Sequence, residues 1–404
     1  MFKLAWRNTM RHGRRSLGAI GAIAFGTIAL LLSGGFIEWI LLDFREHIIR
    51  SQLGHIQIAK RGYKSLGSAD PYSYVLRADD STLAALAGVP GVRVAAPRLS
   101  FNGLVSAGDV TLSFLGSGLD ATLEQELSTG VSIRSGQGLS ASDPKGVLIG
   151  SGLAAALRIK PGDPLVLVVN TASGSVNAVD ATVRGTFSSV AKAYDDSAIR
   201  LPIGLARQLL KVQGLHTLVL LLERTEDTEN ALIKMRPSAE AAGLEIASWS
   251  TLADFYNKTK VLFSQQIGVL RGVIALIVVL SVSNTMIMSV FERTWEIGTL
   301  MAIGDTRRHI LASFLHEGAL LGALGGAIGL IVGVALAAMI SAIGVPMPPP
   351  PGMAEGYIGR VLLTPRLAIE ALAIAVITTL IAAAYPAWRA ARLPIVDALR
   401  HNRA

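Results

Sequence analysis

The sequence contains no cysteine and few charged residues for its length. Of 404 residues only 16% are charged, whereas an ordinary soluble domain carries about 25%. The lack of cysteine excludes a disulfide framework, and 16 prolines are too few for a collagen-like or disordered chain. Hydrophobic residues make up 51% of the chain, and the mean hydropathy is +0.49. This excess predicts that part of the protein lies in a lipid bilayer.

Four uncharged apolar runs are each close to the length of about 20 residues that a membrane-spanning helix needs. They occupy residues 16–37, 273–291, 318–344 and 371–388. The first run is longer than the apolar core of a signal peptide, and no small-x-small cleavage site follows it, which favours an uncleaved span. The pattern predicts an α-helical membrane protein with one span, a large insertion and three further spans.

The basic residues near these runs predict the orientation of the chain. Twelve of them flank one side, against Arg360 and Arg366 on the other. The twelve are Lys3, Arg7, Arg11, Arg14, Arg15, Arg293, Arg307, Arg308, Arg389, Arg392, Arg400 and Arg403. By the positive-inside rule both termini and the 292–317 loop are cytoplasmic. The net charge of +8 is then explained by topology and anionic lipid, so we expect no nucleic-acid partner.

The long insertion between the first two spans has the pattern of a mixed α/β domain. Alternating or short apolar runs predict strands at 55–58, 110–115, 165–169 and 218–222, and helices are predicted at 81–87 and 151–157. Residues 38–50 extend the first span outward. Thr251–Asp254 resembles a capping box that opens a helix leading into the second span. Together these two segments predict a stalk of paired helices.

The insertion carries no recognisable catalytic or metal-binding motif. The seven histidines are scattered, neither H-E-x-x-H nor G-x-S-x-G occurs, and Asp195-Asp196 is interpreted as a solvated acidic pair in a loop. We therefore expect no catalysis, metal or cofactor on this chain.

The most informative segment is residues 292–304, directly after the second span. Its spacing predicts a short amphipathic helix on the inner membrane face, with Gly304 at its end. One side would carry Trp295, Thr299 and Ala302, and another Ile297, Leu300 and Met301. Gly298 would leave room for close approach by a partner. Composition alone favours a helix that rests on lipid headgroups.

This run resembles the coupling-helix signature of the FtsX/MacB-like superfamily of ABC permeases, close to E-R-x-x-E-I-G-x-x-x-A-x-G. Other segments resemble the family in the same order along the chain: an N-terminal elbow at 4–16, a periplasmic piece at 147–163 and a C-terminal ending at 385–400. The resemblance implies that the coupling helix lies in a groove of an ATPase. The residues assigned to this ATPase coupling are Glu292, Arg293, Trp295, Glu296, Ile297, Gly298, Leu300, Met301, Ala302 and Gly304.

The resemblance also gives a domain division. It consists of a cytoplasmic elbow (1–15), a first transmembrane helix (16–42), a MacB-like periplasmic domain with stalk ends (43–262), a second transmembrane helix (263–291), the coupling helix and loop (292–317), a third transmembrane helix (318–345), a proline-rich periplasmic loop (346–367), a fourth transmembrane helix (368–388) and a cytoplasmic tail (389–404).

Glycines in the third span form small-xxx-small repeats, which let helices approach closely. They are Gly322, Gly325, Gly326, Gly329 and Gly333. Two interpretations remain open here: packing within one protomer, or an interface between two permeases.

The sequence contains no G-x-x-x-x-G-K-[ST] motif, so the resemblance implies a separate ATPase subunit that binds ATP-Mg. Further implied partners are a second permease copy or paralogue, a periplasmic adaptor or carrier protein, and membrane lipids. The arrangement is similar to LolC/LolE-like and DevC-like permeases, which implies extraction or export of a lipid-like or amphiphilic cargo such as a lipoprotein, glycolipid, drug or peptide. The alternative is a non-transporting, FtsX-like regulator of a cell-wall hydrolase.

Overall fold

The computed structural model describes residues 13–67, 69–77, 80–189, 191–349 and 356–394, arranged in two compact units. Among the described residues, the helical unit comprises those in 13–41, 259–346 and 358–394. The α/β unit comprises the described residues in 42–258 and 347–357. Most of the predicted elbow, the centre of the proline-rich loop and the end of the tail lie outside the described residues.

The described residues form thirteen α-helices and twelve β-strands. The helices are α1 (Gly13–Ile48, continued by a π-turn at Ile49–Leu53), α2 (Tyr63–Leu66), α3 (Ser81–Ala87), α4 (Leu123–Leu127), α5 (Ser151–Leu157), α6 (Lys192–Asp195), α7 (Ile203–Leu210), α8 (Thr228–Ala241), α9 (Trp249–Leu252), α10 (Asp254–Glu292), α11 (Thr294–Ala302), α12 (Arg307–Ile343) and α13 (Pro365–Ala391). The strands are β1 (Ile56–Lys60), β2 (Val92–Ala107), β3 (Val110–Leu119), β4 (Ser132–Gly136), β5 (Gly146–Gly150), β6 (Pro164–Asn170), β7 (Val176–Ser188), β8 (Ala198–Pro202), β9 (Thr217–Leu222), β10 (Leu244–Ser248), β11 (Val345–Met347) and β12 (Tyr357–Gly359). Short 3₁₀ turns lie at Pro71–Tyr74 and Thr225–Asp227.

Four helices in the described part of the chain are long and apolar enough to cross a membrane: α1 with its π-turn, α10, α12 and α13. They contain the four apolar runs, apart from Gly344 at the end of the third, and extend beyond them; at α12 and α13 a polar cap sets the first residue. The Thr306 hydroxyl accepts a hydrogen bond from His309 N at 3.3 Å, so α12 begins eleven residues before the apolar run. Thr364 caps α13 in the same way, by accepting from Leu367 N at 3.2 Å.

Helix α12 packs on two sides through its glycines. Gly325, Gly329 and Gly333 face α1; a Cβ added at Gly329 would lie 2.7 Å from Thr27 Cβ. Gly322 and Gly326 face α13, against Thr379 and Leu372. All five are buried against helices of the same chain, so none of them lies on a surface that a second permease could contact.

The α/β unit is built on a ten-stranded sheet with the order β10-β1-β9-β2-β3-β8-β5-β7-β4, in which β6 pairs with β2 and β7. Most neighbours are antiparallel, but β3/β8 and β5/β7 are parallel. One apolar core lies between the β2–β7 region and helices α5 and α7, and a second lies between β1, β9, β10 and helix α8. The helices predicted at 81–87 and 151–157 are confirmed as α3 and α5.

Two predictions for this unit are wrong. Asp195 is not solvated: it is 1% exposed, and its carboxylate accepts from Ser188 Oγ at 3.0 Å and Ser189 N at 2.9 Å. Burial raises the pKa of Asp195. The capping box is also wrong, because Thr251 lies inside α9, where its hydroxyl donates to Ser248 O at 2.8 Å. Helix α10 begins only at Asp254, after Ala253 interrupts the helical path.

A buried histidine follows the π-turn. His55 is fully buried; its Nδ1 accepts from Leu222 N at 3.0 Å, and its Nε2 lies 2.9 Å from Thr225 Oγ1. The Thr225 hydroxyl in turn donates to Glu46 of α1 at 2.8 Å. Burial lowers the pKa of His55 to about 4, so the ring is neutral near pH 7.

Candidate coupling site on the helical unit

The coupling segment begins with a break in the helical path at Arg293. Helix α10 ends at Glu292, Arg293 adopts φ −105° and ψ 9°, and α11 starts at Thr294. The Arg293 guanidinium contacts Glu296 at 3.3 Å and Glu317 of α12 at 3.3 Å. It also lies 5.5 Å from the centre of the Phe314 ring. Arg293 therefore ties the start of α11 to α12.

One stripe of α11 is buried in the helical unit. Thr294, Ile297, Gly298 and Met301 are buried, with the spacing i, i+3, i+4 and i+7 of one helix face. Their apolar neighbours are Val290, Ile310, Phe314, Ala387, Ala390 and Ala391. The segment is thus packed against α12 and α13 along this stripe.

The opposite side of α11 is exposed and apolar. Trp295, Leu300 and Ile303 are 48%, 45% and 81% exposed. Ala302 is exposed beside them, and Thr299 is half-buried. The prediction that Leu300 shares a face with Ile297 and Met301 is wrong: Leu300 points away from the buried stripe. We call Trp295, Thr299, Leu300, Ala302 and Ile303 the docking face.

Helix α11 ends in a Schellman turn at Gly304. Asp305 N donates to Leu300 O at 3.0 Å, and Gly304 N donates to Met301 O at 3.2 Å. Gly304 has φ +107°, a conformation that a residue with a Cβ adopts only at a cost. The glycine that was predicted to end the helix does so, and it fixes the last turn of the docking face.

Two features of this site differ from the sequence interpretation. Gly298 is buried toward its own chain, so the space it leaves serves packing within the helical unit and not the approach of a partner. Glu317, directly before the third apolar run, was not among the residues assigned to this site, but it is 7% exposed and pairs with Arg293. Its spacing of 24 residues from Arg293 gives no local sequence signal. Of the remaining assigned residues, Glu292 is exposed at the end of α10 and Glu296 is half-buried in the first turn of α11.

Metal chemistry has no support in the part of the chain that the structure describes. No group of three His, Asp or Glu side chains in those residues is arranged to hold a metal ion. What the site offers is a short helix with one anchored side and one open apolar side, at a joint between two long helices. Such an arrangement can transmit a displacement from a bound protein to α10 and α12.

Two family models match the chain. The MacB-like periplasmic core domain matches residues 16–238, and the FtsX-like permease C-terminal domain matches residues 268–395. The first match alone covers more than half of the chain. The chain therefore belongs to the FtsX/MacB-like family of ABC transporter permeases, as the sequence motifs predicted. It is a multi-pass inner-membrane protein with a MacB-like periplasmic domain.

Curated relatives agree with this family. The chain is 32% identical over 181 residues to the macrolide export ATP-binding/permease protein MacB of Wolinella succinogenes, covering 44% of this chain and 26% of that protein. It is 27% identical over 289 residues to an uncharacterized ABC transporter permease of Methanocaldococcus jannaschii, covering 67% and 66%. It is 30% identical over 155 residues to the pyoverdine export protein PvdT of Pseudomonas syringae, covering 38% and 22%. The chain thus spans about a quarter of the length of the exporters that it matches.

Two solved structures align with about half of the chain at low identity. The extracellular domain of the transporter YknZ from Gram-positive bacteria aligns with 48% of this chain and 99% of that domain, at 11% identity and a TM-score of 0.36. The periplasmic region of MacB from Actinobacillus actinomycetemcomitans aligns with 52% of this chain and 96% of that region, at 12% identity and a TM-score of 0.36.

Proposed function

We propose that this chain is the permease subunit of an ABC export system whose ATPase is a separate subunit. In this proposal both termini and α11 are cytoplasmic, and the ATPase binds the docking face. In the same proposal ATP-Mg is held and hydrolysed by the partner subunit. Two permease copies, or one copy and a paralogue, would complete the membrane part.

The observation that carries the proposal is the two-sided character of α11. Its buried stripe and the Arg293–Glu317 ion pair fix the helix, while Trp295 and Leu300 remain nearly half exposed on the other side. Large apolar side chains on a fixed helix are typical anchors of a protein interface. A helix that only rested on headgroups would not need the Schellman turn and the buried ion pair that hold it in place.

The cargo that we propose is amphiphilic or lipid-like, and it is handled on the periplasmic side. Relatives named as macrolide and pyoverdine exporters support export of such molecules. The match to the MacB-like periplasmic core over residues 16–238 favours an exporter over the FtsX-like regulator of a cell-wall hydrolase. A periplasmic adaptor or carrier protein and membrane lipids remain proposed partners.

The test changes the docking face without touching the buried stripe. Tagged Leu300→Asp is purified in mild detergent from its native membrane, and co-purified ATPase is identified by mass spectrometry and by ATP hydrolysis. The matched control is Ile233→Asp, which places the same acid at a 71% exposed position on α8. We expect loss of the ATPase from Leu300→Asp and its retention with Ile233→Asp and the wild type. An ATPase that stays bound to folded Leu300→Asp would contradict the proposed docking face.

A further inference from the structure

The carbonyl groups at the outer end of the first membrane helix need hydrogen-bond donors from outside the helix. The last four carbonyls of a helix have no partner within the helix. Here α1 ends in the π-turn at Ile49–Leu53, which Gly54 N closes by donating to Ile49 O at 2.9 Å. The next four carbonyl groups, from Arg50 to Leu53, therefore need donors from elsewhere in the α/β unit.

Each of these four carbonyls accepts a hydrogen bond from a different part of the α/β unit. The donors are Gly130 N to Arg50 O at 2.9 Å, Arg200 Nη2 to Ser51 O, Arg98 Nη1 to Gln52 O, and Gln57 Nε2 to Leu53 O at 2.9 Å. Arg98 comes from β2 and Arg200 from β8. The helix end is thus fully satisfied by groups that belong to the sheet and its loops.

The two arginines are held by one carboxylate. Glu124 of α4 lies 2.7 Å from Arg98 Nη2 and 3.7 Å from Arg200 Nη1, and Arg200 Nη1 donates to Ser128 Oγ at 2.9 Å. Arg98, Glu124 and Arg200 are 8%, 5% and 3% exposed. We call these three residues the carbonyl socket.

A buried triad of this kind is a poor source of stability. Removing the charges from water costs several kcal/mol per ion, and well-packed apolar residues often stabilise a fold as well or better. In the carbonyl socket, Arg98 Nε and Glu124 Oε2 even lack a hydrogen-bond partner. The two arginines do fix the orientation of the helix end, because their guanidinium groups donate hydrogen bonds to two successive carbonyls at the negative end of the helix.

We propose that the carbonyl socket positions the end of α1, so that movement of this helix is passed to β2 and β8 and does not bend the chain at the π-turn. Arg98, Glu124 and Arg200 are then positioning residues for transmission between the membrane helix and the periplasmic sheet. The role in transport rests on the proposed function; the attachment of α1 to the sheet does not.

The first part of the test measures attachment in the absence of any ATPase. The chain has no cysteine, so cysteines introduced at His47 on α1 and at the exposed Lys145 before β5 give a unique spin-label pair. The test variant is Arg98→Met/Glu124→Leu. The control is Arg93→Met/Glu126→Leu, which makes the same changes at an ion pair of 3.3 Å on the same strand and helix, where both side chains are 56% exposed.

For the wild type and the control we expect a single narrow distribution of the distance between the two spin labels. For Arg98→Met/Glu124→Leu, the socket variant, we expect this distribution to become broad. If the double variant does not fold, Arg98→Lys replaces it, because lysine keeps the charge but cannot address the carbonyl and Glu124 with a forked group. A distance that stays narrow in a folded socket variant would overturn the proposal.

The second part measures transport of a macrolide, the cargo class named for one relative, by the full chain with its ATPase in proteoliposomes. We expect the socket variant to keep ATP hydrolysis and to lose export, while the control keeps both. A structural role alone would lower both activities together, and that result would refute transmission through the socket. Failure to find an ATPase would contradict the proposed function but would leave the distance measurement valid.

Discussion

Substitution of Glu317 by glutamine tests whether an ion pair holds the coupling helix in place. The change keeps the volume of the side chain and removes its charge. Arg293 is then left 15% exposed with Glu296, which is itself 45% exposed, and with the Phe314 ring. Breaking a fully buried pair costs about 3–5 kcal/mol. Because Glu296 remains within 3.3 Å of Arg293, we expect a smaller loss, of about 2 kcal/mol, in the free energy of opening α11.

Hydrogen exchange with mass spectrometry in lipid nanodiscs measures this opening directly. A loss of about 2 kcal/mol corresponds to roughly 30-fold faster exchange of the α11 amides, if α11 opens locally. The control is Glu370→Gln, which removes a carboxylate that contacts Arg271 at 3.3 Å and Arg366 at 2.9 Å near the start of α13. It should leave α11 unchanged. Equal protection of α11 in wild type and folded Glu317→Gln would refute the anchoring role of the pair.

Two further predictions concern the membrane packing and the buried histidine. Gly329→Leu should lower the thermal unfolding midpoint in detergent, because overpacking against Ala24 and Thr27 costs about 1–3 kcal/mol or more. The control Gly272→Leu should not lower the midpoint, because an added Cβ there has nothing within 4 Å. Equal midpoints of the two variants would argue against the contact at Gly329. Burial lowers the pKa of His55 from 6.5 in the unfolded chain to about 4 in the folded one. The contribution of the neutral ring to the free energy of unfolding is therefore fully present above pH 6.5, and it is lost as the pH falls through 4. Denaturant unfolding at pH 7 and pH 4 should therefore show a loss of about 3 kcal/mol that His55→Gln does not share, and an identical pH dependence of the two proteins would contradict it.

Features that depend on neighbouring residues in the chain were predictable from the sequence. A long uncharged run has few alternatives to a membrane helix, and short alternating runs correctly located β1, β3, β6 and β9. Gly304 was recognised as the end of α11 because a positive φ at a helix end is a local requirement. The burial pattern of α11 was predicted only in part, since both of its sides carry apolar residues and periodicity alone does not say which side faces the protein.

Features that depend on distant residues were missed. Asp195 resembles any acidic loop residue until β7 ends beside it and Ser189 N donates to its carboxylate. Glu317 lies at the edge of an apolar run, and only the return of α11 onto α12 gives it a partner. The third-span glycines predicted close helix packing, but the sequence did not indicate whether α1, α13 or a second copy of the chain was the neighbour. The carbonyl socket gave no signal, because its residues are separated by up to 149 positions from the carbonyls they hold.

The socketed end of α1 has a consequence for which changes in length this protein can accept. An α-helix turns by about 100° per residue, so a single insertion between the membrane span and the π-turn would turn the four held carbonyls by about 100° relative to the span of the same helix. An insertion of seven residues restores the direction to within about 20° but lengthens the helix by about 10 Å. The number of residues between 38 and 53 therefore sets both the rotation and the distance of the held carbonyls relative to the membrane span. Loops at the sheet edges can vary in length without this effect, whereas one residue gained or lost in this helical stretch changes the direction of the held carbonyls relative to the span.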